Sequence, residues 1–576
     1  MPKTWTVVAL TTAVTACASG NRAPSADGIV LEGDLARVLD ARLSSEPGLA
    51  GAFLVARGGE VVFAQGYGEA DRETGRRWTP RTVSDIGSLV KGVTGAAIVK
   101  LQEEGRLSIT DTLGTFFDRV PADKRGITLH QLLTHTAGFG SATGSDRDPV
   151  SRDSLIALAM GAPLRSKPGA SYRYSNTGYS ILAAVVEKAS GMPYERYVQE
   201  RLFAPAGLRE TGYTAPTWPK DRLAHGYRSD GTDWGSPLDQ PWRADGPGWH
   251  LRGNGGMLST VHDLYRWLEA LQGDAVLDAE SRRQLFAPHV AELPGSNMHY
   301  GYGWGVVEAP EGRRIWHDGG NPYFHAEYVL LPEQNAIAVA LTNAQSPAFV
   351  AAWNAVRHAA LTGRLPEEAP AAVVPVALLD EYAGEYRIPS GPEATIRREG
   401  AGLVMTSGEN SAAMTATSET RFAVPSLGLT MEFVRDDAGR VSAFRAEQGG
   451  GTFTAQRVGD APAAAASNGV ALPDTPAGGR VREFLSLMAS EGDAAIRRFV
   501  QETFTREFRS DFTMSAHLEQ LRGMRTRLAD AEVVDYRGSA TSAVLRLRSP
   551  GSGTVYTARF TFQGDDARIA ELALTR

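Results

Sequence analysis

Two Pro- and Ala-rich stretches cut this 576-residue chain into three blocks, and that division constrains its fold more than any other feature. The first stretch is 365–377; the second, 459–479, holds the run Ala463 to Ala466 together with Pro462, Pro473 and Pro476. Neither offers apolar periodicity, so each reads as a linker. The blocks that remain, 29–364, 378–458 and 480–576, are each long enough to bury a core of their own. No internal repeat is visible.

The blocks differ in pattern. The first opens with helical spacing at Leu35, Val38, Leu39 and Leu43, followed by strands Gly51 to Arg57 and Glu60 to Tyr67 around the hairpin turn Gly58-Gly59. Helical patterns come next, and strands return at Tyr300 to Glu308, Tyr323 to Leu331 and Ala336 to Thr342. Strands at both ends with helices between predict an α/β (α+β) unit: a mixed, mainly antiparallel sheet plus a helical lobe. In the second block, Thr430 to Val434 and Val441 to Ala446 flank Asp436-Asp437-Ala438-Gly439, which predicts a small all-β, barrel-like domain. The third pairs a helix (Val481, Phe484, Leu485, Met488) with β-rich segments near Val533, Ala543 to Arg548, Val555 to Phe562 and Ile569 to Leu574. That predicts an α+β domain.

Composition removes several function classes. With 59 basic against 66 acidic side chains, a net charge of -7 and no basic run longer than a pair, nucleic acid is not an expected partner. Hydrophobic residues at 42% and charged ones at 22% describe a folded chain, and no apolar stretch reaches the ~18 residues of a spanning helix. A single cysteine, Cys17, forbids intramolecular disulfides and thiolate metal clusters. It follows Lys3, the apolar run Val7 to Val14, and Thr15-Ala16, the layout of an exported leader over 1–16 with a tether over 17–28. The cysteine after the cut resembles a bacterial lipobox, which implies lipid attachment at Cys17 and a membrane-anchored, periplasmic or cell-surface protein. Two acyl chains anchor stably where one does not.

Three motifs could carry chemistry. Ser88-Leu89-Val90-Lys91 opens an apolar helical run, and a spacing of three puts the hydroxyl and the amine on one helix face. A serine needs such a base, and the amine must be neutral to serve. S-x-x-K alone arises about twice by chance in a chain this long, and an N-cap serine with a solvated lysine would look the same. Tyr174-Ser175-Asn176 offers a phenol that can relay protons as a tyrosinate, and an amide that can hold Lys91 and a substrate carbonyl. His317-Asp318-Gly319-Gly320 is expected on an edge strand, where two glycines admit a substrate close to the backbone and a free N–H can bind an oxyanion. A rival His299-Tyr300-Gly301 lies in an aromatic segment, Tyr300 to Gly305, that reads as a packed strand. His130 and His135 read as fold-supporting histidines, and no metal or cofactor is expected.

In this order the motifs resemble those of the serine β-lactamase-like, penicillin-recognising hydrolases, over about residues 31–364. The closest branch holds class C β-lactamases, D-Ala-D-Ala carboxypeptidases, D-aminopeptidases and esterases. Ile127 to Gly138 and Gly253-Asn254-Gly255-Gly256-Met257-Leu258-Ser259-Thr260 are similar to that branch's loops, as is the gap of 86 residues (174 − 88) between Ser88 and Tyr174. The resemblance implies Ser88 as acylated nucleophile, Lys91 as base and Tyr174 as proton carrier. It also implies substrate binding by Asn176, His317, Gly319 and Gly320, with the N–H groups of Ser88 and Gly320 forming an oxyanion hole.

His317 departs from the Lys-Thr-Gly of class C β-lactamases. A neutral histidine holds a carboxylate poorly, and Asp318 would favour a cationic substrate end. A peptidase or esterase on D-amino-acid peptides, amides or small esters is therefore expected ahead of a true β-lactamase. A catalytically silent envelope sensor, or a carrier function in the last two domains, are the alternatives of another class. The second block, around Glu381 to Tyr386, resembles lipocalin-like domains, and the third is similar to NTF2-like domains.

Overall fold

A computed structural model describes residues 28–576 except 147, 229–230, 241–245, 345, 368–370, 390–392, 408–409, 461–471, 490–491, 512–513, 529–530, 540, 550–554, 565 and 576. The leader 1–16 and Cys17 lie outside the described residues, as do parts of both linkers.

Among the described residues one sheet has nine strands: β1 (Val30–Leu31), β2 (Gly51–Arg57), β3 (Glu60–Tyr67), β4 (Val290–Ala291), β5 (Met298–Tyr300), β6 (Gly305–Ala309), β7 (Gly312–Gly320), β8 (His325–Leu331) and β9 (Ala336–Thr342). Their order is β1-β3-β2-β9-β8-β7-β6-β5-β4, with every pair antiparallel. The first three strands thus join the last six beside β9. The helical residues between them fold away and return over one face, the arrangement expected from the sequence. Side chains alternate across the sheet: Ile315 and Tyr328 join the large core under the helical lobe, while Trp316 and Val329 face helices α1 (Gly33–Ser44) and α5 (Pro347–Thr362).

The aromatic segment 300–305 is not one strand. It turns between β5 and β6, with Gly303 at φ +88°, where a Cβ would lie 2.3 Å from the Lys91 carbonyl oxygen. Tyr302 and Trp304 are buried against helix α2 (Val90–Glu103), as their aromatic character requires. Chain proximity at Gly92 and Gly95 is what admits them: a Cβ on Gly95 would meet the Tyr302 carbonyl oxygen at 2.0 Å.

Beyond the sheet, eight strands from Gly384 to Gly459 close into an antiparallel barrel, each paired with its neighbour in sequence and the last with the first. Tyr382, Tyr386, Phe422, Phe433 and Phe444 fill its interior, Tyr382 and Phe433 stacking at 4.0 Å between ring centroids. The third block packs four helices, Pro476–Met488, Asp493–Thr503, Arg506–Asp511 and Met514–Leu528, against a four-stranded sheet spanning Glu532 to Thr575.

Candidate active site

Ser88 lies in a tight 3-10 turn, Gly87–Leu89, that leads directly into α2. The turn is fixed from before and from the side. Asp85 Oδ1 accepts the Gly87 N–H at 2.8 Å, and Gly87 adopts φ +49° with its missing Cβ only 2.4 Å from Gly320 N. A side chain at Gly87 would push β7 away from the serine.

One helical turn on, Lys91 has no exposed surface. Its Nζ donates to Ser88 Oγ at 2.9 Å and to the Asn254 carbonyl at 3.0 Å, and stands 4.7 Å from the centre of the Tyr174 ring. Burial is the dominant influence and pulls the amine down to about 7, against the opposing pull of Asp318 and Asp146. A lysine near neutrality at working pH is chemically a base. The spacing of three brings the amine to the hydroxyl.

The Tyr174 hydroxyl bonds to Ser88, and burial raises it well above the ordinary phenol range. Burial thus works against the tyrosinate that the sequence reading invoked. Its position comes from the loop 130–141. His135, at φ +58°, accepts the Ser175 N–H on Nδ1 at 3.0 Å, Ser175 Oγ donates to the Gly140 carbonyl at 2.7 Å, and Asn176 N donates to Ser141 O at 2.8 Å. Ser175 also caps helix α3 (Asn176–Ser190) by accepting the Gly178 N–H. His130 works elsewhere, its Nδ1 2.8 Å from the Tyr302 hydroxyl. Asn176 Oδ1 is buried without a partner and Asn176 lines the cavity above Ser88. The lysine contact expected of Asn176 is made instead by the carbonyl of Asn254, whose own amide is clamped to Ser180 Oγ and the His250 carbonyl, both at 2.7 Å.

β7 is interior for part of its length. Its partner β6 pairs only from Gly312 to Trp316, whereas β8 pairs from Ile315 to Gly320. Residues 317–320 therefore overhang β6, and the edge expected from the sequence exists locally, facing the serine. Gly319 is needed there, since a Cβ would lie 2.5 Å from Ser88 N. Gly320 brings its own N–H beside the same turn, so two backbone donors converge where an oxyanion on an acylated Ser88 would form.

His317 takes a different place from the one its motif suggested. It is buried, its Nε2 2.9 Å from the Tyr300 hydroxyl and its Nδ1 turned to the Asp318 carbonyl, and it does not line the cavity. Burial lowers it to about 4, so it is neutral. Asp318 points to the opposite face of the sheet, beside Glu327. The acids that do line the cavity are Asp85 and Asp146, the latter raised by burial and by Asp85.

That cavity, about 250 Å³, is also walled by Trp234 and Tyr323, stacked with ring centroids 4.4 Å apart and planes 17° from parallel. Tyr300 was not legible as a site residue. It packs against His135 at 4.7 Å and Tyr172 at 5.7 Å between ring centroids, and near Glu292, whose carboxyl burial pushes up to about 7. Its Tyr-Gly-x-Gly setting signals packing, and only the folded chain brings it to His317.

A serine–lysine pair at a helix start, a phenol bonded to the serine and an overhanging strand thus stand together at one cavity. The chain belongs to the beta-lactamase family, whose model matches residues 35–362; it is a serine hydrolase. It is similar to penicillin-binding protein 4* of Bacillus subtilis (strain 168), 28% identical over 412 residues that cover 66% of this chain and 89% of that one. It is also similar to esterase EstB of Burkholderia gladioli, 28% identical over 341 residues, 52% of this chain and 85% of the esterase. Among solved structures, the octameric penicillin-binding protein homologue from Pyrococcus abyssi shares the fold, with a TM-score of 0.52 and 22% identity over 73% of this chain and 98% of that one.

Proposed function

We propose that this chain hydrolyses small esters or amides of D-amino acids through an acyl-enzyme on Ser88. The observation that carries the reading is the 2.9 Å contact between Ser88 Oγ and a fully buried Lys91 amine. Neutral Lys91 takes the hydroxyl proton as Oγ bonds to the substrate carbonyl carbon. The N–H groups of Ser88 and Gly320 receive the oxyanion, each such donor being worth about 10² to 10³ in rate. Tyr174 passes a proton to the departing amine or alkoxide as its bond to carbon breaks. Water then repeats the attack, and Ser88 regains its proton.

Substrate choice follows from charge. Asp85 and Asp146 line the cavity and His317 is neutral behind its wall, so a ligand carboxylate finds no cation among these groups. This favours neutral or cationic substrates over β-lactams, which carry a carboxylate. The names of the two relatives, a penicillin-binding protein and an esterase, fit acyl transfer of both kinds. We further place the enzyme at the cell envelope with lipid on Cys17; labelled palmitate should enter the expressed protein and be lost in Cys17→Ser.

A fluorescent fluorophosphonate tests the core of the reading. It should label the wild type and not Ser88→Ala, and the same change should abolish turnover across p-nitrophenyl esters, D-amino p-nitroanilides and nitrocefin. Labelling that persists in Ser88→Ala, or ester turnover unaffected by it, would sink the assignment.

A further inference from the structure

A second cavity of about 250 Å³ lies on the reverse face of β7, between the sheet, α5 and the barrel. Arg314, Trp316 and Asp318 of β7, Glu327 of β8, and Trp353 and Arg357 of α5 line it. Its far wall is the turn Gly449-Gly450 of the barrel, laid flat on both guanidinium groups. A Cβ on Gly450 would meet Arg314 Nη1 at 2.2 Å, and one on Gly449 would meet Arg357 Nη1 at 2.8 Å.

Two buried donors stand without a partner here. Trp353 is 4% exposed and its Nε1 has no partner; Arg314 is 8% exposed and its Nε has none. Among the described residues Arg314 pairs with the solvent-facing Glu311, at 3.4 Å, and Arg357 donates to the neutral amide of Asn354 at 2.7 Å. Two guanidinium groups and an indole N–H on one cavity, with Glu327 and Glu447 acting on Arg357 by charge but no carboxylate bonded to it among the described residues, fit an anion. Glu327, whose charge also acts on Arg357, bonds to His325 at 2.9 Å, and Asp318 is the second acid of the lining. A dianion would meet that acid unfavourably; a ligand with a carboxylate at one end and an ammonium at the other satisfies both. The volume is that of roughly eight waters, and two indole walls suit an apolar side chain.

We propose that this cavity binds a free amino acid as its zwitterion, with the carboxylate on Arg357, Arg314 and the Trp353 N–H and the ammonium toward Asp318. The site lies on the other face of β7 from the Ser88 cavity and does not rest on the substrate proposed for it. Isothermal titration of full-length Ser88→Ala protein with D- and L-phenylalanine tests it, with phenylpropionate and phenethylamine as probes lacking one charge each. We expect saturable binding of a phenylalanine, at least tenfold weaker binding of either probe, and at least tenfold loss in Arg357→Gln. Trp353→Phe, which removes only the N–H, should weaken binding even where Arg357→Gln lowers the melting temperature. Asp146→Asn, in the Ser88 cavity, should leave the affinity unchanged. No saturable heat, binding that survives both cavity substitutions, or binding lost in Asp146→Asn overturns the site.

Discussion

At the scale of single residues, the chemistry rests on how dry Lys91 is. Its amine falls to about 7 because burial penalises the ammonium, so the basic form grows as pH rises through that value. We therefore expect kcat/KM for a p-nitrophenyl ester to climb from pH 6 to 8 with an apparent pKa of about 7; a profile flat over that range would remove Lys91 as the base. Lys91→Arg keeps a permanent positive charge and should cost about 10² to 10⁴ in kcat, the usual worth of a general base. Ser88 and Lys91 were legible in the sequence because both sit on one helical turn. His317 was legible as a motif but not as a conformation. Tyr300, 17 residues away in the chain, holds its ring, and a contact of that kind leaves no local pattern.

At the scale of elements, apolar runs bounded by turn residues were readable to the residue: Gly51–Arg57, Glu60–Tyr67 and Ala336–Thr342 fall where those runs end. The segment 300–305 was not, because its aromatics bury on a turn and mimic a strand, while Gly303 at φ +88° makes the reversal. The edge at 317–320 was legible, but not that it is an overhang of an otherwise interior strand, since that depends on where β6 stops pairing. It makes Gly319→Ala a sharp test. The added methyl would lie 2.5 Å from Ser88 N and 2.4 Å from the Ile86 carbonyl, and a displacement of about 1 Å at reacting groups costs on the order of 10²-fold in rate. We expect kcat to fall by about that factor with the circular dichroism spectrum unchanged; full activity would show that β7 does not set the serine's geometry.

At the scale of the whole molecule, the linkers told where units divide but not how they meet. The barrel reaches the hydrolase unit through two tight turns. Pro425–Gly428 sits on α5, with the Gly428 Cβ position 2.9 Å from Asn354 Nδ2, and Gln448–Gly451 sits against β7 and Asn297. Asn297 Nδ2 donates to the Gly450 carbonyl at 3.1 Å, and its Oδ1 accepts the Thr452 N–H at 2.7 Å. At about 1 kcal/mol net for each bond, Asn297→Ala should loosen the docking by about 2 kcal/mol. Protease cleavage within 365–377 should then quicken several-fold while ester turnover persists; unchanged cleavage would mean that other contacts hold the barrel. The Gly449-Gly450 turn has a mechanical meaning as well. Gly450 rests on Arg314, a residue of the very strand whose far end carries Gly320, so a change in how the barrel docks would reach that strand from behind.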